Sequence, residues 1–278
     1  MDKILGLGKA GCNIASLFER YPQYTVRKLG TEESYDRNYI RIHEQNAPED
    51  YETFCPNLEY ELDCLNGELL FITCGASMIS AASLSVLSQL KDNCEISVLY
   101  IKPDLDGLNE KEKMQERLTF NVFQEYARSG LLKQVYLVDN DMMEDIIGEV
   151  PITEYYNRIN DLIVSTIHMI NIFNHSAPVV STVSKPSDIS RICTFGIAAL
   201  DKKEEKLFFP LDEMREKQYY YAIPEKKIKT DGTLMKKIKE ATRGEKTAYG
   251  VYSTSYEHEY IYCLLRSSAV QERVASNE

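Results

Sequence analysis

Gly6, Gly8 and Gly11 stand in G-x-G-x-x-G spacing inside "KILGLGKAGCNIASLF" (residues 3–18), between an apolar strand-like run and a helix-like run. In a dinucleotide-binding βαβ unit, glycines in this order let the backbone approach a pyrophosphate at a helix N-terminus. Other phosphate-binding turns need glycines for the same reason, so the spacing points to an anion-contacting loop and leaves its ligand open. Glu32 and Glu33 follow the glycines by about 20 residues, where an NAD enzyme places its ribose-binding acid. No catalytic Tyr-x-x-x-Lys pair, His–Asp pair or similar hydride-transfer constellation stands out, so an NAD-dependent oxidoreductase ranks a distant third among the readings below. Farther along, Tyr156 and Asn160 are four residues apart in a helical stretch and share a face. A π surface and an amide edge could there meet one ligand; the alternative is a packed tyrosine and a capping asparagine. A hydrolase nucleophile is not indicated. There is no G-x-S-x-G, and Cys74-Gly75-Ala76-Ser77 has no histidine nearby in the sequence.

Composition removes other classes. The seven cysteines (Cys12, Cys55, Cys64, Cys74, Cys94, Cys193, Cys263) show no C-x-x-C and mostly sit in apolar runs, so neither a disulfide framework nor a zinc site is expected. His168 and His175 share helical spacing without an H-E-x-x-H, and no metal site is expected. The formal net charge is −11, which argues against nucleic acid as a partner. Lysine clusters at Lys226, Lys227, Lys229 and at Lys236, Lys237, Lys239 read as solvated faces. With 44% hydrophobic and 27% charged residues the chain is an ordinary globular composition. The N-terminal run lacks the features of a signal peptide and no apolar stretch is long enough for a bilayer, so a cytoplasmic location is expected.

These residues need elements to position them. Strands are expected at 3–7, 24–30, 39–43, 68–73, 95–101 and 134–138. Helices are expected at 13–20, from the Ala/Ser-rich segment to about Leu90, and at 111–128. Residues 44–57 read as loop. Strands alternating with helices indicate an α/β domain with a parallel, doubly covered sheet. Thr153 then introduces a long helix to about Asn174, with Ile159, Ile163, Ile167 and Ile170 in one stripe. Strands at 191–200 and 218–223, a helix capped near Thr230 or Asp231, and a closing hairpin turning at 255–257 make a smaller α+β unit. The expected organisation is an N-terminal nucleotide-binding-type domain (1–152), a central linking helix (153–175) and a C-terminal α+β domain (176–278).

Taken in order, these segments resemble the tubulin/FtsZ superfamily over nearly the whole chain. "GLGKAGCN" (6–13) is similar to its first nucleotide loop, G-x-G-G-G-G-x-N, with Gly6, Gly8, Gly11 and Asn13 matching and Cys12 inside the loop. "ELLFITCG" (68–75) resembles the strand and glycine entering the second phosphate loop. "SVLYIKP" (97–103) resembles a strand ending V-x-x-x-K-P, "LNEKEKM" (108–114) the F-E-G-x-x-R-M helix entry, and "VYLVDND" (135–141) the "LIVIPND" segment. "YNRIND" (156–161) resembles the central helix, where an aromatic is followed by Asn or Asp. The resemblance implies a Rossmann-like parallel-sheet domain, a long central helix and a smaller α+β domain. It implies GTP or GDP as ligand, with Mg2+ accompanying it, and head-to-tail self-association or pairing with a related subunit. Gly6, Gly8, Gly11, Cys12, Asn13, Gly75, Ser77, Ser80, Asn109, Lys113, Asn140, Tyr156 and Asn160 are the implied nucleotide-contacting positions, with Tyr156 stacking on guanine and Asn160 bonding its edge.

The chain departs from the family where phosphate chemistry is done. In place of G-G-G-T-G-[ST]-G stands "ASMISAAS" (76–83): the glycines are gone and Met78 and Ile79 add bulk. Ser77, Ser80 and Ser83 and a helix N-terminus remain as donors. The family's Glu and Arg at the helix entry fall on Asn109 and Lys113. In "APVVSTVSKPSDISR" (177–191), Asp188 is the one acid available to orient an attacking water. The C-terminal "SSAVQERVASNE" offers no adaptor-type peptide, so no membrane tether is expected. Two functions follow: a divergent cytoskeletal GTP-binding protein with hydrolysis weak or lost, or a degenerate structural relative without nucleotide.

Overall fold

The computed structural model describes residues 1–200, 205–244 and 246–272; the end of the C-terminal stretch expected to carry no tether, residues 273–278, lies outside them. The chain divides into two compact units, Met1–Val164 and Ser165–Glu278.

The first unit runs β1 (Lys3–Leu7), α1 (Gly8–Phe18), β2 (Thr25–Gly30), β3 (Tyr39–Arg41), α2 (Pro48–Thr53), β4 (Gly67–Cys74), a 3-10 turn (Met78–Ala82), α3 (Ser83–Leu90), β5 (Cys94–Lys102), α4 (Glu110–Ser129), β6 (Gln134–Asp139), α5 (Asn140–Ile147) and the start of α6 (Tyr155–Asn174). Its strands pair in parallel in the order β3-β2-β1-β4-β5-β6. The apolar runs of β1, β4 and β5 do not alternate because both faces of these strands are covered. Ile4, Leu5, Leu70, Phe71, Val98 and Leu99 are all fully buried. Asn109 caps α4 by accepting from the Lys111 and Glu112 amides, while Glu112 accepts from the Asn109 amide. Gly130, at φ 86°, ends the same helix in the left-handed conformation glycine tolerates.

The second unit contains the rest of α6, then β7 (Val180–Ser181), β8 (Ile192–Ala198), β9 (Glu205–Leu207), β10 (Met214–Pro224), α7 (Glu225–Thr230), α8 (Leu234–Ala241), β11 (Thr247–Thr254) and β12 (Tyr260–Ser267). Its sheet is mixed, in the order β9-β8-β12-β10-β11-β7, with β10 and β11 parallel and the other pairs antiparallel. Aromatic rings bind α6 to it: Phe173 stacks on Tyr252 with centroids 4.4 Å apart. The isoleucine stripe of α6 is buried at all four positions.

Three local expectations are corrected. Helix α1 begins at Gly8, so the glycine spacing lies at the strand end and in the helix's first turn and not in a loop ahead of it. Residues 44–57 include α2, started by Pro48 at its first position. The closing hairpin does not form: β10 lies between β11 and β12 and pairs with both. The turn-like residues 255–257 therefore cross over a strand. The buried tyrosines of β10, Tyr219, Tyr220 and Tyr221, place that strand inside the sheet.

Candidate functional site

Strand β1 pairs with β2 on one side and β4 on the other, so the winding of the sheet reverses beside it. In open α/β sheets, ligand crevices form outside the carboxyl ends of strands at such a switch point. A cavity of about 390 Å3 opens here, lined by Gly8, Cys12 and Asn13 of α1, by the end of β2 and residues 31–36, and by Ser77, Met78 and Ile79 beyond β4. Four of the implied positions, Gly8, Cys12, Asn13 and Ser77, are thus brought to one cavity.

The glycines of the opening motif answer mostly to packing. A Cβ on Gly6 would lie 2.4 Å from the Gly11 carbonyl oxygen, and one on Gly11 would lie 2.4 Å from the Ile72 carbonyl oxygen. These two positions let α1 sit directly on β1 and β4. Gly8 differs: its φ is +72°, and a Cβ there would meet Ile79 Cγ2 at 2.9 Å. The side chain of Ile79, 8% exposed, therefore lies over the first glycine turn. Ser80 is inward and committed, its hydroxyl hydrogen-bonding the carbonyls of Gly75 (3.0 Å) and Ser77 (2.6 Å). Gly75 leaves room for the Tyr100 hydroxyl, which a Cβ would approach to 1.9 Å. The Cys12 thiol donates to the Leu29 carbonyl, and burial pushes its pKa up to about 12, so it is an inert packing group.

The cavity walls carry four carboxylates, Glu32, Glu33, Asp36 and Glu44, against two ammonium groups, Lys9 and Lys28. Lys28 is already committed. Its buried Nζ donates to Ser16 Oγ (3.1 Å), to Glu19 (2.9 Å) and to Asp36. Burial works against that charge, but the hydrogen bonds to Asp36 and Glu19 outweigh it and hold its pKa above the ordinary lysine value. Lys9 is exposed and stands 3.9 Å from Glu32. The N-terminus of α1 does offer free backbone donors, since Leu7 at its cap has no side-chain acceptor. Such an end stabilises an anion by about 0.3–1 kcal/mol. Three of the four carboxylates are themselves paired, Asp36 with Lys28, Glu32 with Lys9 and Glu33 with Arg41 at 3.0 Å, so the walls add little net charge against it. What would crowd a phosphate at this helix end is the Ile79 side chain over Gly8.

The remaining implied positions do not line this cavity. Asn109 is the α4 cap described above, and Lys113 stands 3.7 Å from Glu110 on the same helix. Asn140 begins α5. Tyr156 is 66% exposed, meeting Tyr155 edge-on at 5.1 Å, and Asn160 is half-buried one turn later. Asp188 belongs to the second unit, where it is exposed, 3.5 Å from Lys185, with its carbonyl accepting from Arg191 Nε at 2.7 Å. The lysine clusters on α7 and α8 find acids close by, as in Lys227–Glu259 at 2.7 Å and Lys237–Asp231 at 3.4 Å. Sequence reasoning missed the pairing of buried Lys28 with the part-exposed Glu19 and Asp36, and the acids as a wall. The run "TEESYD" (31–36) right after the second strand was the available signal. No helix among the described residues is long and apolar enough to cross a membrane.

No family model matches the sequence, and no curated protein does. Solved structures do match. CetZ from Methanosaeta thermophila superposes with a TM-score of 0.67 at 15% identity, covering 97% of this chain and 87% of that one. An FtsZ dimer from M. jannaschii gives 0.68 at 9% identity over 96% and 88%. A GTPγS-form protofilament of TubZ from Bacillus thuringiensis serovar israelensis gives 0.66 at 16% identity over 95% and 87%. At such identities the likeness is one of fold, and it extends along nearly the whole chain.

Proposed function

We propose that this chain, which carries the tubulin/FtsZ fold, is a self-associating structural subunit whose assembly does not run on GTP turnover. The carrying observation is the position of Ile79 over Gly8, at a cavity walled by Glu32, Glu33, Asp36 and Glu44. In this reading an apolar side chain covers the turn whose backbone amides would have to meet phosphates. The self-association half of the reading is supported by similar structures that are themselves a dimer and protofilaments. The partner is a second copy, docked head to tail, or a related subunit. The one acid of the 177–191 segment, Asp188, is exposed and already stands beside Lys185, which leaves that segment poorly equipped to orient a water.

Sedimentation with electron microscopy, run without nucleotide, with GDP and with GTP plus Mg2+, tests this directly. The expected result is the same pelleted fraction and the same filaments in all three, with no sustained phosphate release. Filaments that form only with GTP overturn it. One observation favours nucleotide binding instead: exposed Tyr156 and half-buried Asn160 lie one turn apart on α6, where ring and amide could share a base. That reading requires equilibrium dialysis to find GTP held below millimolar concentration and released by Tyr156→Ala.

A further inference from the structure

The second unit contains a larger cavity, of about 480 Å3, between residues 182–190 and the ends of β10, β11 and β12. Its lining runs against the charge of the chain. Lys185, Arg215, Lys217, Lys246 and Arg266 face it with one carboxylate, Glu216, in a protein whose net charge is −11. Glu216 is already an acceptor for the Ser187 amide at 3.0 Å, which ties the 182–190 segment across the cavity. Lys217 is paired with Glu205 at 3.0 Å, and Lys185 stands 3.5 Å from Asp188. Arg215, Lys246 and Arg266 pair with no carboxylate among the described residues.

The backbone delivers these three to one place. The β10–β12 register shifts between Met214 and Glu216, so Arg215 is the extra residue of a bulge, a device that re-aims a side chain. Lys246 precedes β11 with φ at +56°, a left-handed conformation that a lysine seldom adopts, and its carbonyl accepts from the Lys217 amide at 3.0 Å. Arg266 is 6% exposed; its Nη1 donates to Gln218 Oε1 at 3.3 Å, and its buried Nε has no acceptor. Ser190, 1% exposed and lining the same cavity, also has a hydroxyl without a partner. Buried donors without partners are rare in native proteins, and here two share one cavity with two unpaired cations at its rim.

We infer that this cavity is a binding site for a small, multiply charged oxyanion, a phosphate ester or a polycarboxylate. Arginine's planar fork and the serine hydroxyl suit the several acceptors of such a group. The volume lies in the range of ligand pockets. The site lies wholly within the second unit and does not depend on the reading of the first unit's cavity.

Calorimetric titration of the full chain with sodium pyrophosphate and, separately, citrate tests it. Saturation of one site by either anion is expected. Arg215→Ala and Lys246→Ala, both exposed and neither needed for packing, are each expected to weaken binding on the order of tenfold with circular dichroism and Tm unchanged. Preference for pyrophosphate assigns the phosphate source, and preference for citrate the carboxylate source. The inference is overturned if neither anion binds at millimolar concentration or if both variants bind as the parent does. It is equally overturned if heat appears only on dilution of self-associated protein, which marks the patch as a contact between copies.

Discussion

Lys102 Nζ lies 2.6 Å from Asp139 Oδ2, joining the C-terminal ends of the neighbouring parallel strands β5 and β6, and both side chains are buried. The other carboxylate oxygen of Asp139 accepts from the Asp141 amide at 3.2 Å and caps α5. One side chain thus holds a buried ammonium and starts a helix. Asp139→Asn leaves the ammonium uncompensated and is expected to cost about 3–5 kcal/mol. Lys102→Met combined with Asp139→Asn is expected to cost well under the sum of the single changes, because it removes the buried charge with its partner. Urea denaturation of the parent, the two single variants and the double variant measures this, and a coupling energy near zero would sink the idea.

Gly11 is the second contact that cannot be changed locally. An added methyl would sit 2.4 Å from the Ile72 carbonyl oxygen, which is backbone of a buried strand. Gly11→Ala is expected to lower stability by about 3 kcal/mol, through the shift it forces on α1. Gly107 is the control, because a methyl added there meets nothing within 4 Å. Its change to alanine should alter stability by less than about 0.5 kcal/mol. Thermal unfolding by circular dichroism separates the two, and equal Tm values would show that α1 does not need this close approach.

The Lys28 cluster gives stability a defined pH dependence. The hydrogen bond from Lys28, then that from the Asn38 amide, hold the Asp36 carboxyl below the usual carboxylate range. Its pKa is depressed on folding, so its contribution is complete above the unfolded value near 3.8 and fades as pH falls through the lower folded value. Lys28 is raised on folding, so its contribution is complete below its unfolded value of 10.5 and fades as pH climbs through the higher folded one. Asp36→Asn is expected to flatten the acid limb of Tm against pH below about 4 while leaving the neutral plateau's shape intact. An unchanged acid limb would remove Asp36 as its cause.

Elements with a local cause could be read from the residues alone. The stripe Ile159, Ile163, Ile167 and Ile170 marks α6 because helical period alone puts those positions on one face, and all four are buried. The unbroken apolar runs at β1, β4 and β5 likewise announce strands covered on both faces. Of the positions that the resemblance implied, Gly8, Cys12, Asn13 and Ser77 line one cavity. That Met78 and Ile79 add bulk was legible too, but that Ile79 reaches over Gly8 was not, because it depends on how the 3-10 turn after β4 meets the first turn of α1.

The parallel α/β half, the long helix and the glycine turn at a strand end were all written in the order of the residues, since each follows from spacing within a dozen positions. That β10 separates β11 from β12 came from the folded chain. So did the facing of the acids at 31–36 onto a would-be phosphate cavity, and the convergence of Arg215, Lys246 and Arg266 on another. Strand order and charge convergence are set by pairings between distant segments. A local pattern fixes which face of an element is apolar, but not which neighbour that element meets.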